Sequence, residues 1–182
     1  MVRTLWPDWY FESYNAIPQG FFKRHGIKYL ISDIDNTLVS YMDRLPTPNA
    51  LAFFKRLEEE GVTLLLASNN SKKRVRTFSG KDIPSVYRAG KPATTHIRIM
   101  MHKEKVRYDQ CAFMGDQLFT DCLAAKRLGV PMILVKPVVN DRALPIFGIK
   151  RDLESLIMRK YLKEYSINCV QGRRGIASKD VE

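Results

Sequence analysis

Residues 28–41 read KYLISDIDNTLVSY, and this stretch decides the fold. Residues 29–34 form a compact apolar run, which is typical of a buried β-strand. Asp33 and Asp35 stand at the end of this run, directly before an Asn-Thr pair. Because a packed core does not need two adjacent carboxylates, the stretch predicts a strand that delivers charged groups to a functional site.

The composition predicts one folded domain with a basic surface. The chain has 182 residues, 45% of them hydrophobic, which is enough for a packed core. No apolar run approaches the roughly 18 residues that span a bilayer. The formal net charge of +11 suggests an anionic partner, such as nucleic acid, anionic lipid or a phosphorylated substrate. A protein that is merely basic remains the alternative.

Cysteine usage and the N-terminus predict a cytoplasmic protein. Cys111, Cys122 and Cys169 are odd in number and show no paired spacing, which favours free thiols in a reducing compartment. The first ten residues lack the apolar centre of a secretory signal.

Short apolar strands alternate with helical segments along the chain. The further predicted strands cover residues 62–67, 85–89, 111–114 and 132–135. Such strands are typical of a parallel sheet covered on both faces, so we expect an α/β fold with about five strands. We divide the chain into an N-terminal aromatic arm at 1–27, one domain at 28–165 and a loose C-terminal tail at 166–182.

Polar side chains follow the other predicted strands as well. Ser68 and Asn69 end the second strand, Lys91 comes after the third, and Asp116 ends the fourth, with Asp121 shortly after it. The carboxyl ends of parallel strands share one edge of a sheet, so we expect these groups to meet. Several carboxylates at one place require a cation, and oxygen ligands alone suit Mg²⁺.

Four motifs in this order resemble those of the haloacid dehalogenase (HAD) superfamily phosphatases: DIDNT, SNN, GKP and GDQLFTD. The sequences of these motifs resemble those of the YqeG family of subfamily IIIA, and the resemblance covers roughly residues 28–136. An acidic pair alone could be a capped turn or a solvated loop, but four ordered motifs at strand ends favour a site. The resemblance implies a single Rossmann-like domain and a phosphatase.

The resemblance also implies a role for each matching residue. Asp33 would be the nucleophile and Asp35 the general acid/base, with Mg²⁺ held by Asp33, Asp116 and the backbone carbonyl of Asp35. The residues implied to bind or steady the phosphate are Thr37, Ser68, Asn69 and Lys91, and Asp121 would support Lys91 or the metal. A turn residue, a solvated lysine and a helix-terminal charge are the respective alternatives for Ser68, Lys91 and Asp121.

Only residues 38–47 intervene between Asp35 and the next helix, and the stretch between Gly61 and Asp116 has no room for an inserted cap domain. The site should therefore be open and suit a bulky substrate. A mitochondrial relative of the resembled family acts on phosphatidylglycerophosphate, which makes a lipid phosphate the leading candidate substrate. The aromatic arm, with Arg3, Lys23, Arg24 and Lys28, could lie on an anionic membrane or pack into the core.

The basic segment at 72–81 is expected either to flank the site or to form a solvated helix face. A competing hypothesis from another class is a nucleic-acid or ribosome-associated basic protein with a secondary phosphatase site. It depends on charge alone, since the chain contains no recognised nucleic-acid-binding motif. The sequence predicts no oligomeric state.

Overall fold

The computed structural model describes residues 5–139 and 145–169. Within them, one sheet of six parallel strands has the order β1-β6-β5-β2-β3-β4. The strands are β1 (Trp9–Phe11), β2 (Tyr29–Ser32), β3 (Thr63–Ala67), β4 (Ser85–Val86), β5 (Cys111–Gly115) and β6 (Met132–Val135). The predicted α/β class and parallel sheet are confirmed, with one strand more than the expected five.

The additional strand comes from the N-terminal segment. β1 pairs in parallel with β6, with Phe11 opposite Val135, and the side chain of Phe11 is buried. Trp9 meets Phe21 edge to face, with ring centroids 5.2 Å apart. Burial of aromatic surface at this edge stabilises the fold, so these aromatic rings of the segment pack into the protein.

Helices cover both faces of the sheet. They are α1 (Phe21–Arg24), α2 (Pro48–Glu59), α3 (Lys72–Ser79), α4 (Thr95–Lys103), α5 (Leu123–Leu128) and α6 (Pro145–Cys169). Side chains alternate along each strand, so Leu30 packs against the α1, α2 and α3 side while Ile31 packs against the α4, α5 and α6 side. Both strand faces are therefore apolar, as the sequence predicted.

Helix starts are placed by local capping. The Thr47 side chain accepts a hydrogen bond from the Ala50 amide at 3.3 Å, and Pro48 occupies the first turn of α2. Ser71 caps α3 in the same way, through the amide of Arg74. The last helix, α6, continues to Cys169 and so enters the tail that was expected to be loose from residue 166, whereas Arg3 and residues 170–182 lie outside the described residues.

The structure also bears on the expected thiols, membrane segments and cap domain. Cys111 and Cys122 are free thiols in the core. None of the helices that the structure describes is long and apolar enough to cross a membrane. The connection from β2 to α2 spans residues 33–47, and within the described part of the chain no cap domain interrupts the sheet.

The strand order determines where a ligand can bind. From β2 the chain moves outward to β3 and β4, then returns to the other side of β2 and continues through β5 and β6. The carboxyl end of β2 is therefore the topological switch point, where connections leave in opposite directions and open a crevice. The DIDNT motif begins at this point.

Candidate active site

The turn after β2 fixes the two carboxylates of the first motif. The Asp33 amide donates a hydrogen bond to the Met114 carbonyl on β5 at 2.9 Å. Asn36 has a φ of 64°, in the left-handed region that Asn tolerates better than most residues. Its side-chain oxygen accepts from the Val139 amide at 3.1 Å, which ties the turn to the segment after β6.

Lys91 bridges two of the predicted acidic residues. Its Nζ lies 2.7 Å from Asp33 Oδ1 and 2.8 Å from Asp121 Oδ1, and all three side chains are nearly or fully buried. Asn69 holds the backbone of Lys91, since its Nδ2 donates to the Lys91 carbonyl at 2.9 Å and its Oδ1 accepts from the Lys91 amide at 2.7 Å. Asn69 thus positions the lysine, although it also lines the cleft described below.

Three buried carboxylates converge beside this lysine. One oxygen each from Asp33, Asp116 and Asp121 lies within 4.8 Å of the others. Thr37 Oγ1 donates to Asp116 Oδ1 at 3.1 Å, so it orients a carboxylate. A Cβ added at Gly115 would clash with Asp121 Cγ, so the close approach of these two residues depends on glycine. The cluster has the size and donor type of a divalent-cation site.

Burial and mutual repulsion perturb these groups. Desolvation raises the pKa of Asp33 from 3.8 to about 7; Lys91 opposes this shift, and the charges of Asp121 and Asp116 add to it. Burial lowers the pKa of Lys91, but the adjacent Asp121 and Asp33 carboxylates outweigh it and raise the pKa above its usual range. Lys91 is therefore held as a cation, and the acidic cluster would gain stability from a further positive charge.

Asp35 is held by α3, a contact that the sequence did not predict. Arg74 donates to Asp35 Oδ1 through Nε at 3.0 Å and through Nη2 at 2.7 Å. Asn70 Nδ2 donates to the other carboxylate oxygen at 3.3 Å. Arg74 also donates to the Arg44 carbonyl at 2.9 Å, so one side chain joins α3, Asp35 and the loop after β2.

An open cleft of about 340 Å³ lies above these groups. Its lining residues are Asp33, Asp35, Ser68, Asn69, Asn70, Lys91, Gln117 and Thr120. Ser68 is buried at the end of β3, and its Oγ accepts from the Asn70 amide at 3.1 Å, which leaves its hydroxyl hydrogen available as a donor. The structure thus places all eight predicted residues in or directly beneath one cleft.

Sequence reasoning missed four residues of the site: Asn70, Arg74, Gln117 and Thr120. Three of them, Asn70, Gln117 and Thr120, are residues of the quoted motifs SNN and GDQLFTD, so their place in those motifs already pointed to the site. Arg74 stood in the basic segment at 72–81. Its local signal was the position four residues before Phe78, which places both side chains on one face of a helix.

A parallel sheet whose switch point carries this arrangement of aspartates, lysine and serine defines a phosphatase of the HAD type. Residues 88–144 match a family model described as HAD-hydrolase-like. The chain is 32% identical over 164 residues to "Probable phosphatase YqeG" of Bacillus subtilis (strain 168), covering 88% of this chain and 95% of that protein. The chain therefore belongs to the YqeG family.

Two solved structures are also similar. A 4-nitrophenylphosphatase from Thermotoga maritima aligns with a TM-score of 0.46 and 13% identity, covering 66% of this chain and 90% of that chain. A hypothetical protein from Xanthomonas campestris aligns with a TM-score of 0.46 and 18% identity, covering 73% and 78%.

Proposed function

We propose that the protein is a Mg²⁺-dependent phosphomonoesterase that acts through an aspartyl-phosphate on Asp33. The observation that carries this proposal is the buried Asp33–Lys91–Asp121 contact at the floor of an open cleft, with Asp116 beside it. A nucleophilic carboxylate next to a fixed cation, open to the cleft, suits attack on a phosphorus atom.

The residues present fit a divalent cation. Three clustered carboxylates carry more negative charge than Lys91 neutralises. Burial raises the pKa of Asp33, and the charges of Asp121 and Asp116 raise it further, so a cation there would stabilise the ionised carboxylate. Asp33, Asp116 and the backbone carbonyl of Asp35 would hold Mg²⁺, which prefers hard oxygen ligands. When bound, it would neutralise charge on the phosphoryl group during transfer.

The protein's own groups account for both halves of the reaction. Asp33 attacks phosphorus and the ester P–O bond breaks, while Asp35 donates a proton to the departing alkoxide. Water then attacks the aspartyl-phosphate as Asp35 takes its proton, which releases inorganic phosphate and restores the Asp33 carboxylate. Lys91 and Ser68 would hold the phosphoryl oxygens, and Arg74 would fix the carboxyl group of Asp35 near the leaving group.

The test is phosphate release from 4-nitrophenyl phosphate by the full chain, with and without Mg²⁺. We expect activity to require the metal and Asp33→Asn to abolish it, whereas Asp109→Asn, an exposed carboxylate paired with Arg107, should leave it unchanged. Mass spectrometry of acid-quenched protein should find the phosphoryl group on Asp33. Activity that survives Asp33→Asn would refute this nucleophile.

For the substrate, we propose a bulky phosphate monoester at a membrane surface, with phosphatidylglycerophosphate as the candidate. The support is a group of exposed apolar side chains in the loop after β2: Tyr41 is 50% exposed, Met42 78% and Leu45 62%. Arg74 ties this loop to the catalytic Asp35 through the Arg44 carbonyl. Exposed Lys and Arg residues of α3 lie next to it and suit an anionic surface. This assignment places the protein in the cytoplasm, in peripheral contact with a membrane.

A loop variant separates the substrate proposal from the phosphatase proposal. Met42→Ser combined with Leu45→Ser should lower hydrolysis of phosphatidylglycerophosphate in anionic vesicles by about tenfold, because apolar area no longer enters the interface. Hydrolysis of soluble 4-nitrophenyl phosphate should not change. Equal activity of variant and wild type on vesicles contradicts the lipid assignment and leaves the phosphatase intact.

A further inference from the structure

A second concavity lies beside β4, separate from the catalytic cleft. This β4 groove has a volume of about 660 Å³. Its walls are residues 81–88, which include β4, together with Arg76 of α3, residues His96, Ile99, Met100 and Lys103 of α4, and Glu104 directly after α4. Among the described residues it shares no lining residue with the catalytic cleft.

The backbone of β4 offers hydrogen-bonding groups to this groove. β4 is the terminal strand of the described sheet, and its ladder to β3 uses the carbonyls of Pro84 and Val86, which accept from the Leu66 and Ser68 amides at 2.9 and 3.0 Å. Successive residues of a strand direct their backbone groups to opposite sides, so those of Ser85 and Tyr87 point to the open edge. Pro84 lacks an amide hydrogen, but its backbone faces β3, so the open edge does not lose a donor there.

The side chains around the edge supply both apolar and charged surface. Ile99 is 62% exposed and Ile83 and Pro84 are partly exposed, so an extended segment would find apolar contacts along the groove. Four Lys or Arg residues line the groove against two carboxylates. The cations Arg76, Lys81, Arg88 and Lys103 are all exposed. The groove therefore favours an anionic occupant.

We propose that the β4 groove binds an acidic peptide segment of a partner protein in extended conformation, which adds to the sheet beside β4. Backbone pairing with Ser85 and Tyr87 gives affinity, and the surrounding cations select acidic side chains. An extended chain suits the edge geometry better than a nucleic acid, because backbone amides and carbonyls alternate along it and match those of the strand.

The experiment measures fluorescence anisotropy of labelled peptides with the full chain. A short peptide of alternating Glu and Val should bind, whereas the matched Lys and Val peptide should not. A peptide of alternating Glu and Pro keeps the charge but cannot form the ladder, so it should bind at least about tenfold more weakly. Hydrogen exchange should show protection of the Ser85 and Tyr87 amides only with the first peptide.

Variants locate the binding site without disturbing catalysis. Lys81→Glu combined with Lys103→Glu should weaken binding of the Glu and Val peptide by at least about tenfold. Ser85→Pro should also weaken binding of this peptide, because it removes the backbone donor of residue 85. Lys55→Glu, an exposed charge change on α2, should have no effect. Phosphate release from 4-nitrophenyl phosphate should match wild type in the charge variants.

Three results would overturn the proposal. One is failure of the Glu and Val peptide to bind. Another is equal binding of the Glu and Pro peptide, which would show charge attraction without strand addition. The third is tighter binding of a single-stranded RNA oligomer that the two charge reversals abolish, which would make the groove a nucleic-acid site.

Discussion

The Asp33 carboxylate is buried beside Asp116 and Asp121, and it contacts the Lys91 ammonium. Only a small part of the Asp33 side chain reaches the cleft, so its ionised form loses hydration that one shared lysine replaces only in part. The proposed role of Asp33 as nucleophile nevertheless requires the ionised form. The burial of this carboxylate therefore lowers the stability of the folded protein when no metal is bound.

This conflict predicts a pH dependence of stability. The pKa of Asp33 rises from 3.8 in its usual state to about 7 in the fold, so between these pH values the folded protein keeps a proton that the unfolded chain releases. The free energy of unfolding must then fall as the pH rises through this window. We expect metal-free Asp33→Asn to lack this fall and to exceed wild type in stability above about pH 7, by on the order of 1 kcal/mol or more.

Urea unfolding of both proteins in chelator, from about pH 4 to about pH 8, measures this difference. Asp109→Asn serves as the control, since that carboxylate is exposed and its hydrogen bond from Arg107 lowers its pKa, the direction opposite to that of Asp33. Identical pH profiles for wild type and Asp33→Asn would show that the buried charge does not weaken the fold.

A second prediction concerns Gly115. A Cβ added at Gly115 would meet the Asp121 carboxyl group, so a methyl group there would displace Asp121 from Lys91. We expect Gly115→Ala to cost about 1–3 kcal/mol of stability by overpacking and to lower phosphate release. The two effects should shrink in an Asp121→Gly background, which removes both Cγ and Cβ of residue 121 from the clash. Additive losses in this double-mutant cycle would mean that Gly115 acts independently of Asp121.

Among the secondary-structure elements, α3 carries basic side chains on two faces, one toward the site and one toward solvent. Arg74 lies inward, with a side chain only 12% exposed, and holds Asp35 and the loop after β2. Arg76 is exposed on the same helix. The basic segment is thus partly a component of the site and partly a solvated surface, so both expectations drawn from the sequence apply to different residues of one helix.

The two arginines provide a matched pair for mutation. Lysine cannot reproduce the forked contact with Asp35, so Arg74→Lys should reduce kcat for 4-nitrophenyl phosphate by about tenfold or more through loss of orientation. Arg76→Lys should leave kcat unchanged. If both variants retain wild-type kcat, the Arg74–Asp35 contact has no part in catalysis.

The elements that could be predicted from the sequence are those whose own residues identify them without knowledge of their partners in the fold. The strands β2, β3, β5 and β6 are apolar runs because helices cover both of their faces, so composition alone reveals them. β1 has only three residues, inside an aromatic stretch without clear periodicity, and pairing with β6 defines it. Likewise Arg74 meets Asp35 across 39 positions of sequence, which no local pattern can show.

For the whole molecule, the N-terminal segment is coupled to the site through β6. The Lys136 amide, just after β6, donates to the Phe11 carbonyl at 3.1 Å. Three residues later, Val139 bonds Asn36 in the catalytic turn. β1 thus covers one edge of the sheet at the strand whose continuation holds the active-site turn, and its packing should affect the stability of the entire domain.

Phe11→Ala tests this coupling. The ring is 2% exposed and meets Phe21 at a centroid distance of 5.4 Å, so its removal leaves a cavity and should cost about 3–5 kcal/mol. Glu12→Ala, next in sequence but exposed, should cost little, because its ion pair with Lys136 lies at the surface. Urea unfolding followed by circular dichroism measures both, and phosphate release at low urea reports on the site.

If the N-terminal segment were only an appendage, Phe11→Ala would shift the midpoint no more than Glu12→Ala. A single cooperative transition, with activity and helical signal lost together at a lower urea concentration, is the expected result of a strand that belongs to the sheet.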